Sequence, residues 1–162
     1  MHYILAADTS QNYVAIIIVR EENISLVHKT IRNLIGFPKD RVLHLREMSS
    51  KIRRHLTNKV AKHFREIVRY IEKIVILVVI GKYKKHAHKI ISLINRLAEE
   101  YKTRRTVLGS DFKYYLGKKV WSIKNIVFND YAEEVQIADI IVNTYRRHRK
   151  EIADFLTIAI IK

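Results

Sequence analysis

In a chain with 31 lysines and arginines against 16 acids, the positions of a few carboxylates carry the most chemical information. Asp8 closes the first apolar run, Tyr3–Ala7, and is followed by Thr9 and Ser10. Asp139 lies in Val135-Gln136-Ile137-Ala138-Asp139-Ile140-Ile141, where Val135, Ala138 and Val142 recur at helical spacing and put it beside a buried face. A carboxylate at a strand end can hold Mg²⁺ or Mn²⁺, hard cations that prefer oxygen ligands. An aspartate there also serves as a plain turn residue, its side chain bonding the nearby backbone. Asp139 has fewer choices, because a buried charge is costly unless it is paired or bound to metal. Gln136, three residues earlier, shares its face. Two further acids are candidate ligands. Glu47 follows the short run Arg41–Leu45 and opens a helix, where it either joins a site or favours the helix dipole. Asp111, in Leu108-Gly109-Ser110-Asp111, is a substitute ligand or a turn residue.

The basic residues cluster. Lys51, Arg53, Arg54, His55, Lys59, Lys62, Arg65 and Arg69 fall opposite an apolar stripe on one helix, with Glu66 the single acid among them. Such a face tracks phosphates with strong salt dependence, or is simply a solvated surface. Lys82, Lys84 and Lys85, with His86 and His88, form a second cluster, and Arg146 and Arg147 begin a third that ends at Lys150. A net charge of +15 and a pI near 10.1 call for an acidic partner. Nucleic acid, DNA or RNA, comes first and an anionic membrane surface second. Other chemistries are excluded. Without cysteine there is no disulfide framework or thiolate metal site. The histidines lack zinc spacing, and there is no phosphate-binding glycine loop or nucleophile elbow. Tyr114 and Tyr115 beside Lys113 have the composition of a base-stacking platform, but are read as packing the fold.

These residues need elements to position them. Tyr3–Ala7 and Val14–Val19 read as a hairpin with Asp8 at its tip. Ile24, Val27, Ile31, Leu34 and Ile35 give a helix, stopped by Gly36-Phe37-Pro38. Arg41–Leu45 reads as a short strand. A long helix follows over 47–72, its stripe made by Ile52, Leu56, Val60, Phe64, Ile67, Val68 and Ile71. Ile74–Ile80 is a buried strand ended by Gly81. Then come a helix over 86–101, strands over 106–108 and 120–128, and a helix over 133–149. An apolar run over 152–161 continues or follows that helix. The alternation predicts an α/β domain with a mixed sheet, a single unit over 1–162. Its longest apolar runs fall well short of the roughly 20 residues that span a bilayer. With no signal peptide and no cysteine, a cytoplasmic protein is expected, away from membranes. The richness in Ile, Lys, Arg and Tyr is that of proteins from hyperthermophilic archaea.

The segment 135–142, followed by Arg146 and Arg147, resembles the late helix of an uncharacterised RNase H-like family. Members of that family open with a strand running into Asp-Glu-Ser-Gly and end with a helix carrying Gln-(Ile/Leu)-Ala-Asp-(Leu/Ile). Asp8 and Ser10 match the first motif, with Thr9 where the family has glutamate. Val78-Val79-Ile80-Gly81-Lys82 is similar to the family's Val-Ile-Asp-Lys, with Gly81 in place of the aspartate and Lys82 kept. The resemblance implies an RNase H-like mixed β-sheet flanked by helices. It implies Asp8 and Asp139 as primary metal ligands and catalytic residues, then Glu47, then Asp111, with Lys82 near a phosphate. The implied activity is phosphodiester cleavage by two divalent ions about 4 Å apart. The missing acid at Gly81 supports another expectation, a catalytically degenerate nucleic acid-binding protein on the same scaffold. A structural protein whose charge reflects only its source is a third.

Overall fold

The two apolar runs at the start of the chain pair as an antiparallel hairpin, in a computed structural model that describes residues 2–38 and 41–162. Strand β1 (Tyr3–Ser10) runs opposite β2 (Tyr13–Arg20). The connection is the two-residue turn Gln11-Asn12, with Gln11 at a positive φ of 54°, as tight hairpin turns require. Asp8 is therefore not at the tip. It pairs with Ala15 inside β1. The polar stretch Asp8-Thr9-Ser10 keeps the strand's alternation, so Asp8 continues the face of Ile4 and Ala6.

Helix α1 (Ile24–Ile35) buries Ile24, Val27, His28 and Ile31, and ends where Gly36 takes the left-handed conformation. The expected strand over 41–45 does not form. Its amide groups bond side chains of a distant helix instead of a neighbouring strand. The expected long helix is divided. Helix α2 (Ser50–Lys62) is capped by Ser49, whose hydroxyl accepts the Ile52 amide. His63 breaks it from α3 (Phe64–Val68), and residues 71 and 72 already belong to strand β3 (Ile71–Val79). Ile52, assigned to the apolar stripe, is 47% exposed.

Helix α4 (Ala87–Glu100) leads to strand β4 (Arg105–Leu108), and α5 (Asp111–Leu116) to strand β5 (Ile126–Phe128). Of the strand expected over 120–128, only these last three residues form one. Residues 117–122 make 3-10 turns that bury Val120. Helix α6 (Glu133–Ile152) is followed by β6 (Thr157–Ile161), so the terminal apolar run is a strand.

The six strands form one mixed sheet in the order β5-β4-β1-β2-β3-β6. β1 is parallel to β4 and antiparallel to β2. The protein is thus α/β, with helices on both faces. Residues such as Ile4, Ala6 and Ile17 face α1, α2, α3 and α6, and residues such as Leu5, Ala7 and Ile16 face α4 and α5. The central strands are accordingly apolar on both sides. Among the described residues no helix is long and apolar enough to cross a membrane.

A carboxylate cleft rimmed by arginines

Strands β1, β4 and β5 point the same way, so their carboxyl ends lie side by side. Each ends in a polar residue. β1 carries Asp8, β4 runs into Gly109-Ser110-Asp111, and β5 runs into Asn129-Asp130. β1 is also where neighbouring strands switch from parallel to antiparallel, the place where open α/β sheets form ligand crevices. Helix α6 crosses the same end and supplies Asp139.

Asp8 and Asp139, the two ligands expected first, lie at the same end of the sheet, close enough that the charge of Asp139 bears on Asp8. They are 9% and 8% exposed. Burial holds the Asp8 carboxyl well above the usual carboxylate range, with Asp139, Asp130 and Asp111 pushing the same way against a bond from the Thr9 amide. Burial likewise lifts Asp139 to about 6, partly opposed by the Leu45 amide, His44 and Arg46. Gly109 makes this approach possible. A Cβ at that position would stand 2.4 Å from Asp8 Oδ1, so only glycine lets β4 run so close.

Asp139 also has a scaffolding task. Its Oδ2 accepts the Leu45 amide at 3.2 Å, and its Oδ1 accepts from Asn143 Nδ2 at 3.0 Å. One turn earlier, Gln136 Oε1 accepts the Leu43 amide at 3.2 Å and His28 Nε2 at 2.7 Å, while its Nε2 donates to the Tyr131 carbonyl at 2.7 Å. Together the two side chains of the Gln-x-x-Asp motif pin the segment 43–45, which supplies the amides of an unformed strand.

Asp111 reaches the mouth of the cleft, held there by an ion pair with Arg46. Glu47 is not brought to the site. It is exposed and lies outside the cleft lining, and its neighbour Arg46 is the residue that turns inward. Asp130 is the acid that sequence reasoning missed. Its carboxylate lies across Gly109 from Asp8 and accepts from the Ser110 amide at 2.9 Å and the Ser110 hydroxyl at 2.5 Å. Its signal was available: Asn129-Asp130 follows β5 as Ser110-Asp111 follows β4.

The rim is cationic. Arg146 donates to Ser10 Oγ at 2.7 Å. Arg53 lines the cleft, and its Nε is buried without a hydrogen-bond partner. Arg54 and Arg147 line an adjoining depression between α2 and α6. Burial holds the Arg147 guanidinium below its usual value, with Arg146, Arg53 and Arg54 pushing the same way. Among the described residues none of these four arginines has a carboxylate partner. Lys51 and Lys62 stand exposed along α2 with Lys59 half-buried beside them. Lys82 and Lys84 line a separate cleft, and Lys85 is exposed nearby.

In kind, these donors fit a divalent cation: hard oxygens, buried, and repelling one another. In number they fall short, because among the described residues no three His, Asp or Glu side chains converge as a metal-binding group. The chain matches no protein-family model, and no curated protein resembles it closely enough to count as a match.

Proposed function

We propose that this chain is a nucleic acid-processing protein in which the Asp8–Asp139 cleft acts on phosphodiesters as a divalent-metal-dependent nuclease. The observation that carries this reading is the pairing of oppositely charged groups at the carboxyl end of the parallel strands. The buried Asp8 of β1 and Asp139 of α6 lie at the end of the sheet where strand direction switches, with the half-exposed Asp130 just past β5, and Arg53 and Arg146, which have no acid partner among the described residues, line the cleft beside Asp139. A cluster of unpaired guanidinium groups is stable in company with phosphates, which they bind in a bidentate manner. Asp8 and Asp139 would hold Mg²⁺ or Mn²⁺, with Asp130, across Gly109 from Asp8, as a further oxygen donor in the role first expected of Glu47 or Asp111. Bound there, such an ion would activate water against the phosphodiester. The RNase H-like resemblance of the Asp8 and Asp139 motifs supports the same reading.

A second reading is a catalytically degenerate nucleic acid-binding protein. The engagement of the acids by the protein itself favours it: Asp111 is paired with Arg46, Asp130 with Ser110, and Gly81 stands where the resembling family has an aspartate.

Cleavage of labelled single-stranded, duplex and hybrid oligonucleotides in Mn²⁺, beside Asp8→Asn and Asp139→Asn, tests both. Metal-dependent cleavage lost in each variant is the expected result. Salt-sensitive binding without cleavage by the wild-type chain would overturn the nuclease reading in favour of the binding protein.

A further inference from the structure

A second cleft of about 410 Å³ adjoins the carboxylate site, lined by Lys82, Tyr83, Lys84, Tyr114 and Tyr115. Tyr115 lines both clefts and is the wall between them. Its ring stacks on Tyr83 with centroids 4.4 Å apart, and the Tyr83 hydroxyl donates to the Gln11 carbonyl at 2.6 Å. These two rings are structural: they tie α5 to the turn of the β1–β2 hairpin. Tyr114 is not. It meets Tyr115 edge-on at 5.6 Å, and its own ring is 75% exposed. Lys84 Nζ sits 5.7 Å from its centroid. An aromatic ring held largely in water beside a lysine contributes little to packing the fold.

We propose that this cleft binds an unpaired nucleotide of a single-stranded nucleic acid, its base stacked on Tyr114 and its phosphates met by Lys82 and Lys84, with the strand continuing past Tyr115 into the carboxylate cleft. The proposal rests on the nucleic acid reading above and names its substrate class. Three features select this occupant. An exposed ring offers a face to any base, with no sequence preference. Two lysines and no acid line the cleft, which suits a phosphate backbone and disfavours a cationic partner. The shared wall puts the next phosphate beside Arg46, Arg53 and Arg146, which line the carboxylate cleft. A duplex has no free base face to offer along its length, so the platform discriminates for unpaired strands.

The test is fluorescence anisotropy with a labelled oligothymidylate and a labelled blunt-ended duplex of two complementary strands, both without divalent metal. The expected result is that Tyr114→Ala weakens oligothymidylate binding about tenfold or more, that Tyr114→Phe keeps it, and that duplex binding is unchanged in both. Equal binding of oligothymidylate by wild type and Tyr114→Ala would overturn the platform while leaving the nucleic acid reading intact. The same holds if Tyr114→Ala weakens binding of heparin as much as of oligothymidylate, since charge alone would then explain the cleft. Failure of the wild-type chain to bind either oligonucleotide would overturn the parent reading and the platform with it. Because Tyr114 is so exposed, its truncation leaves the core untouched.

Discussion

Gln136 and Asp139 sit one turn apart on α6 and do the same mechanical work, yet they stand in opposite electrostatic conditions. Each accepts one amide of the segment 43–45 at 3.2 Å. Around Gln136 the partners are complementary. Its carbonyl oxygen takes two donors and its amide nitrogen gives to Tyr131, so both polar atoms of a buried neutral group have partners. Around Asp139 the neighbours conflict, because burial and the nearby Asp130 both oppose its charge. A neutral amide would hold the loop as well, at less cost. A carboxylate in that place is what the proposed metal site would need, together with the adjoining Asp8.

The largest effect should come from breaking the neutral half. Gln136→Ala removes the partners of the Leu43 amide, the His28 ring and the Tyr131 carbonyl. At about 1–3 kcal/mol for each buried group left unpaired, the loss is expected to total about 3–5 kcal/mol in urea denaturation. A loss below about 1 kcal/mol would show that segment 43–45 is held by something other than the motif.

The charged half should reveal itself through pH. The unfolded Asp139 carboxyl releases its proton near the ordinary value of 3.8, whereas the folded one holds it to about 6. Between those values the folded state binds more protons, so stability falls as pH rises. Its contribution is fully present below about pH 4. It is lost on passing about pH 6, on the order of 3 kcal/mol for a shift of this size. Asp8, raised for the same reasons, steepens the fall. Urea melts from pH 4 to 7.5 should show this slope, and Mn²⁺ at pH 7.5 should recover part of the loss. A slope of the opposite sign would mean that the two acids are not buried together.

The same comparison shows which parts of the molecule the sequence could reveal. Apolar periodicity marks α1, α4 and α6, where one helix face is buried and the other wet. It misleads over 62–72, because Phe64, Ile67, Val68 and Ile71 keep helical spacing across the break at His63 and into β3. It misleads again over 41–45, because the segment alternates like a strand but finds its partners on α6. Asp8 and Asp139 were legible as acids in apolar surroundings. Asp130 offered the same local signal as Asp111, an acid just past an apolar run, but nothing local separates the three residues that form β5 from the apolar residues before them. Tyr115 packs as expected, whereas the exposure of Tyr114 depends on how α5 is laid against the hairpin turn, which no local pattern records.

A smaller effect should come from Gly109→Ala. Its Cβ would strike Asp8 Oδ1 at 2.4 Å, and overpacking of this kind costs about 1–3 kcal/mol. The severe overlap is with Asp8 and only a tight contact at 3.3 Å is with Asp130, so Asp8→Ala should relieve most of it. A double-mutant cycle giving a coupling of at least about 1 kcal/mol would place the strain at that carboxylate, whereas additivity would place it in the β4 backbone.

The smallest stability effect should come from Asp139→Asn, and it is the sharpest test. An asparagine oxygen can still accept the Leu45 amide, which keeps the loop pinned. Its nitrogen would face Asn143 Nδ2, now a donor to Asp139 at 3.0 Å, so the Asn143 amide must turn and weaken its contact with Ser10. Against that small loss stands the removal of a buried charge from beside Asp8. The two nearly cancel, and the change at pH 7.5 is expected within about 1 kcal/mol of zero. The pH slope should flatten and the stabilisation by Mn²⁺ should vanish. A variant that loses several kcal/mol, with Mn²⁺ still stabilising it, would make Asp139 a loop anchor equivalent to Gln136 and leave its charge without a task.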